Sequence, residues 1–129
     1  MYSVTVFGHL DSGHYLRGYQ GKCANPHGHR WVYQITLSGE ELDKLGMLID
    51  FTGIKDFMKA EIEELLDHKM LNDIAPFDTA NPTAENLSAF IYNRIWQRLR
   101  DIVGSASSEV QLAKVRVYES PDCYSEYWE

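Results

Sequence analysis

The segment from His29 to Ser38 alternates apolar and polar residues, with Trp31, Tyr33, Ile35 and Leu37 on one face. A period of two over this length specifies a half-buried β-strand, and a strand with one apolar face needs a second layer to cover it. Two amphipathic stretches further along supply that layer. The first is capped by Asp50 and carries Ile54, Phe57, Met58, Ile62, Leu65 and Leu66 at helical spacing to about Leu66. The second is capped by Thr83 and presents Leu87, Phe90, Ile91, Ile95 and Leu99. Residues 2–10, with Val4 and Val6, read as a strand preceding the first. Val110, Leu112, Val115, Val117 and the aromatic tail at Tyr124, Tyr127 and Trp128 read as two last strands, divided near Pro121.

Between these elements the sequence predicts a long loop over 11–26, an irregular excursion over 39–47, a Pro- and Asn-rich loop over 67–82 and a turn over 104–108. The order strand, strand, helix, helix, strand, strand most simply folds as an α+β unit spanning 1–129 as one domain. Its four strands form one antiparallel sheet with both helices on one face. The other face and both sheet edges then need cover that a chain of 129 residues does not supply. Association through the edges satisfies them, so a homo-oligomer is expected.

A formal net charge of −7, from 19 acids against 12 bases, argues against an extended nucleic-acid footprint, which needs a basic face. No run approaches the ~18 apolar residues that span a bilayer, and the N-terminus has neither a basic start nor a long apolar stretch. A cytoplasmic location follows as the expectation, and with it free thiols at Cys23 and Cys123.

The first thirty residues hold the chemistry. His27 and His29 are two apart, so at the start of a strand both imidazoles leave the same face. Adding His14 from an earlier segment lets three neutral imidazoles converge on one metal, the ligand set of a catalytic zinc with its fourth position open. Cys23, four residues before the pair, then serves beside the metal as base or nucleophile, or else completes a structural zinc site as fourth ligand. The first alternative makes the chain a small metalloenzyme.

Six motifs in series carry a resemblance: Asp11-Ser-Gly-His14, Gly21-Lys-Cys23, His27-Gly-His29, Leu66-Asp67-His68 with Leu71-Asn-Asp73, Asn81-Pro-Thr83-Ala-Glu85-Asn86 and Val117-Tyr-Glu119-Ser120. In this order they resemble the 6-pyruvoyltetrahydropterin synthase family over nearly the whole chain. The resemblance implies the tunnelling fold, in which subunits pool their sheets into an oligomeric barrel, commonly a hexamer of two trimers. It implies Zn²⁺ on His14, His27 and His29, acting on the side-chain hydroxyls of a pterin triphosphate. Cys23 is implied as the proton-removing base, with Asp67 and His68, supplied by a neighbouring subunit, as its relay partners. Glu119 is implied to anchor the pterin, with backbone contacts from Thr83 and Ala84.

The short gap between Cys23 and His27 is similar to the branch that converts 7,8-dihydroneopterin triphosphate to 6-carboxytetrahydropterin in queuosine biosynthesis; members that stop at the pyruvoyl product carry a longer one. That pyruvoyl activity, and a non-catalytic zinc-bound pterin carrier, are the alternatives. One departure is Gly13, where the family has alanine. Lys22 and Arg30 are the cations nearest in sequence for the triphosphate; Glu85 either lines the catalytic site or is a favourable acid in the first helical turn, Cys123 is structural and His9 is unassigned.

Overall fold

A computed structural model describes residues 1–104 and 109–129. Four strands, β1 (Tyr2–His14), β2 (His27–Gly39), β3 (Gln111–Ser120) and β4 (Cys123–Tyr127), form one antiparallel sheet in the order β1-β2-β3-β4. Two helical segments lie between β2 and β3, as the periodicities require. The inward residues of β2 (Trp31, Tyr33, Ile35 and Leu37) are wholly buried and join Val6, Leu10, Val115 and Val117 in one core with the helices. Burial of this alternating stripe is the main driving force for the layered arrangement.

The first helix starts where Asp50 accepts a hydrogen bond from the Thr52 N–H. It runs as α-helix over Phe51–Phe57, widens to π turns over Met58–Glu63 and closes with an α turn over Glu64–Leu66. The sequence predicts a continuous α-helix here, and the π turns are a correction with a physical reason. Ile54, Met58, Ile62 and Leu66 are all buried, a strict four-residue repeat that drifts around a 3.6-residue helix; wider i→i+5 turns keep the four on one face. The second helix, Ala84–Val103, is capped by Thr83, whose hydroxyl accepts from the Asn86 N–H at 3.1 Å. Its Leu87, Ile91, Ile95 and Leu99 are buried against the sheet.

β1 is longer than its sequence predicts, reaching His14 instead of ending near residue 10. Ser12 and His14 face inward and are buried, and the ladder to β2 continues through Gly13↔Gly28 to His14↔His27. The polar character of Asp11-Ser-Gly-His14 hides this extension, since its inward positions hold polar residues with a function, not apolar ones. Beyond Gly104, the turn expected over 104–108 lies outside the described residues.

Candidate active site

At the end of the β1–β2 ladder, alternation puts His14, His27 and His29 on the helix-facing side of the sheet. His14 stands directly across from His27, and Ser12 across from His29. The three rings meet edge to face, with centroids 4.6, 5.0 and 4.8 Å apart. Trp31, next on the same face of β2, forms the floor 4.8 Å from His14 and 5.2 Å from His29. Its indole N–H donates to the Ser12 carbonyl at 3.3 Å.

The hydrogen bonds settle what these rings offer. His14 Nδ1 lies 2.7 Å from the Pro82 carbonyl and His27 Nδ1 2.7 Å from the Asn25 carbonyl. A carbonyl only accepts, so each Nδ1 carries the proton and each Nε2 keeps a free lone pair. The Nε2 atoms of His14, His27 and His29 are all buried without a hydrogen-bond partner, and the three residues contribute ligand atoms within 4.8 Å of one another. Buried polar atoms left unsatisfied in this way are costly unless something binds them. Burial holds His14 below the ordinary imidazole range, with the His27 and His29 rings adding to the effect against the Pro82 carbonyl and Glu119. Burial likewise lowers His29, which Glu119 opposes. Three imidazoles with inward Nε2 atoms, two of them oriented by a carbonyl at Nδ1, fit a divalent metal such as zinc.

Glu119 reaches this centre, its Oε1 3.6 Å from His29 Nε2. It continues the inward series Val115, Val117 and falls where the β3–β4 register slips between Tyr118 and Ser120. Bulges of this kind free a residue from pairing beside functional sites. Cys23 sits half-buried in a 3-10 turn, Lys22–Ala24, and its carbonyl accepts from the Leu16 N–H at 2.8 Å. Among the described residues two groups could hold a metal ion, the three histidines and Asp11 with Asp67 and His68, and Cys23 is in neither. Both cysteines are free.

Asp67 and His68 lie outside this trio, along the edge of β1. The first helix stops at Leu66, Asp67 is extended, and His68 takes a left-handed backbone with φ 55°. That break lets neighbouring residues meet, with His68 Nδ1 3.0 Å from Asp67 Oδ2, which a regular helix forbids. Main-chain bonds lace the pair to β1. The Asp11 N–H donates to Asp67 Oδ1 at 2.8 Å, the His68 N–H to the Asp11 carbonyl at 2.9 Å, and the Gly13 N–H to the Lys69 carbonyl at 2.9 Å. The Ser12 hydroxyl donates to the Leu66 carbonyl at 2.6 Å. Burial alone would raise the Asp67 carboxyl, but the Asp11 N–H and His68 outweigh it and hold it below the usual range. A Cβ at Gly13 would stand 3.2 Å from Met70 Cε and 3.4 Å from the His27 carbonyl, so this chain's glycine relieves crowding where residues 67–70 pass.

Thr83 and Ala84 open the second helix directly after Pro82, whose carbonyl orients His14. The Thr83 hydroxyl is engaged in the cap and Ala84 is buried. Four supporting residues were not singled out in the sequence: Asp11, Ser12, Trp31 and Pro82. All four act through their contacts with the singled-out residues. A signal for Ser12 and Trp31 lies in the parity they share with His14 and His29 respectively; Pro82 acts through a main-chain carbonyl and has no side-chain signal.

Comparison with known proteins agrees with this geometry. A family model described as 6-pyruvoyl tetrahydropterin synthase matches residues 3–129. A Rickettsia felis protein named 6-carboxy-5,6,7,8-tetrahydropterin synthase is 34% identical over 91% of this chain and 93% of its own. A Bacillus subtilis protein of the same name is 32% identical over 92% and 80%. The structure of Caenorhabditis elegans 6-pyruvoyl tetrahydropterin synthase superposes with a TM-score of 0.80 at 25% identity, covering 99% of this chain and 95% of that one.

Proposed function

The chain belongs to the 6-pyruvoyl tetrahydropterin synthase family, and from that premise we propose that it is a zinc-dependent lyase, a 6-carboxy-5,6,7,8-tetrahydropterin synthase of queuosine biosynthesis. It converts 7,8-dihydroneopterin triphosphate and one water to 6-carboxytetrahydropterin, acetaldehyde and triphosphate. The observation that carries the metal dependence is the trio of buried Nε2 atoms without partners. Bacterial relatives of that name, matching along nine-tenths of the chain, support the product.

His14, His27 and His29 hold the zinc, with Nδ1 of His14 and of His27 fixed by a carbonyl. Zinc bound there supplies a Lewis acid for the hydroxyls of the substrate side chain. Glu119 accepts the amino and ring N–H edge of the pterin as a two-oxygen acceptor, with the start of the second helix at Thr83 and Ala84 beside it. Cys23 is the base that removes the side-chain proton. The Asp67–His68 pair takes up and returns protons, Asp67 holding the imidazole Nδ1 in place.

The chain acts in the cytoplasm as one domain of a homo-oligomer, a hexamer of two trimers. Support for assembly comes from β1 and β4 as the outer strands and from Phe7 and Tyr124, 61% and 52% exposed on the sheet face away from the helices. Assembly also gives Asp67 and His68 a route to a neighbouring copy's Cys23. Among the described residues no helix is long and apolar enough to cross a membrane.

Incubating the zinc-loaded protein with 7,8-dihydroneopterin triphosphate tests the assignment. Acetaldehyde and 6-carboxytetrahydropterin in equal amounts are expected. Accumulation of 6-pyruvoyltetrahydropterin alone overturns the choice of product, and pterin binding without turnover makes the protein a carrier.

A further inference from the structure

Cys23 rides on the loop 15–26 between β1 and β2, and the glycines at 18 and 21 give such a loop wide conformational freedom. A base must nevertheless stand at a fixed place, since misplacement by ~1 Å costs about 100-fold in rate. Two asparagines from far along the chain supply the ties. The Tyr15 N–H donates to Asn72 Oδ1 at 2.9 Å, and Asn72 Nδ2 donates back to the Tyr15 carbonyl at 2.9 Å. The Arg17 N–H donates to Asn81 Oδ1 at 2.9 Å, and Asn81 Nδ2 donates to the Arg17 carbonyl at 3.0 Å. Between them the Leu16 N–H donates to the Cys23 carbonyl at 2.8 Å. Residues 15 and 17 are thus held by two side-chain amides, and residue 16 by the residue that carries the thiol.

We propose that Asn72 and Asn81 are positioning residues for Cys23, holding residues 15–17 as a splint for its loop, an inference that rests on the reading of Cys23 as the base. A primary amide carries a donor and an acceptor, as a backbone residue does, so each asparagine pairs with the loop as a neighbouring strand would. Asn72 is 3% exposed and spends both amide atoms on Tyr15; its own carbonyl accepts from Arg17 Nη2 at 3.2 Å. It lies in the turn Leu71–Asp73, just after Asp67 and His68. The Asn81 carbonyl accepts from the Thr83 N–H at 2.9 Å and from Asn86 Nδ2 at 2.8 Å, which anchors it at the start of the second helix. The next residue is Pro82, whose carbonyl orients His14. The two amides therefore tie the thiol's loop to the segments that carry the Asp–His pair and brace the first metal ligand. Aspartate in either place would keep the acceptor and set an oxygen against the loop carbonyl, which is why the amide is required.

The test uses the zinc-loaded full chain with Asn81→Ala and Asn72→Ala, each made alone and in a Cys23→Ala background. It measures kcat and KM for 7,8-dihydroneopterin triphosphate, zinc content, and amide hydrogen exchange over residues 15–17. Asn81 is half-buried and its carbonyl bonds survive substitution, so Asn81→Ala decides alone where Asn72→Ala does not fold. Each variant is expected to lower kcat by about tenfold with KM and zinc content as in wild type. The Tyr15, Leu16 and Arg17 amides are expected to exchange about tenfold faster, the loss of the bonds that cover them. In the Cys23→Ala background the same substitutions are expected to cost no further turnover, because they act through the thiol. Unchanged kcat or unchanged exchange overturns the proposal. An equal loss in the Cys23→Ala background also overturns it, because the asparagines would then support the whole site and not the thiol. A Cys23→Ala chain with full turnover, or a wild type that forms no product, fails the reading of the thiol as base, and the exchange rates still decide whether the asparagines hold its loop.

Discussion

A histidine trio and an Asp–His pair share the far end of β1, and they are built in opposite ways. The trio at His14, His27 and His29 is partly or wholly buried over an indole floor, with three ring nitrogens left unpartnered. The Asp67–His68 pair lies along the strand edge, its imidazole 76% exposed and already engaged by its own neighbour. Burial lowers His14 and His29 of the first set below the ordinary imidazole range; the Asp11 N–H and His68 hold the carboxyl of the second below its usual range. One arrangement points three ring nitrogens at a common point; the other presents an exposed imidazole braced by a carboxylate. Residues 11–14 supply both, since His14 faces inward while the Asp11 and Gly13 amides pin residues 67–69.

The strongest break in this comparison comes from the trio. His29→Ala is expected to remove bound zinc and lower turnover by more than about 100-fold, checked by metal analysis alongside product formation; full zinc content in the variant would contradict the ligand assignment. His68→Asn acts on the other cluster, and is expected to cost about 100-fold in kcat with the metal content of wild type. Loss of zinc in that variant would show that the two clusters are not functionally separate. Cys23→Ala should likewise keep zinc and pterin binding while turnover falls by a factor on the order of 100, and its retention of turnover would exclude the thiol as base.

Acid stability sharpens the contrast in a different way. The Asp67 carboxyl is depressed in the folded chain, so its contribution is present above the unfolded value of 3.8 and is lost as pH falls through the folded one. Asp67→Asn should therefore melt below wild type at pH 6, and the gap should close below pH 3.8; a gap independent of pH would assign the loss to packing. Smallest is Thr83→Ala, which removes a helix cap and should cost about 1 kcal/mol of stability, measured by denaturant titration. A rise in KM in this variant without that loss would make Thr83 a ligand contact.

The strand of Trp31, Tyr33, Ile35 and Leu37 and the faces of both helices were legible because burial imposes a period on the side chains. The caps at Asp50 and Thr83 were legible because an N-cap acts over three residues. His27 and His29 were readable as one face for the same local reason. The extension of β1 to His14 was not, because its inward positions are the polar Ser12 and His14, and the amides of Asp11 and Gly13 are held by residues 67–69 from far along the chain. Nor were the π turns of the first helix, which answer to the packing of Ile54, Met58, Ile62 and Leu66 on the sheet.

By itself, then, the order of residues determined which side chains share a face, which ends are capped and that His27 and His29 leave one side of their strand, since these depend on neighbours a few positions apart. Only the tertiary structure decided that a proline carbonyl orients His14, that an indole underlies the trio and that His68 turns back on Asp67 beside β1. Each of those contacts, or the backbone break that permits it, joins segments brought together by the sheet and its helices, and no local rule of propensity or period reaches across that distance.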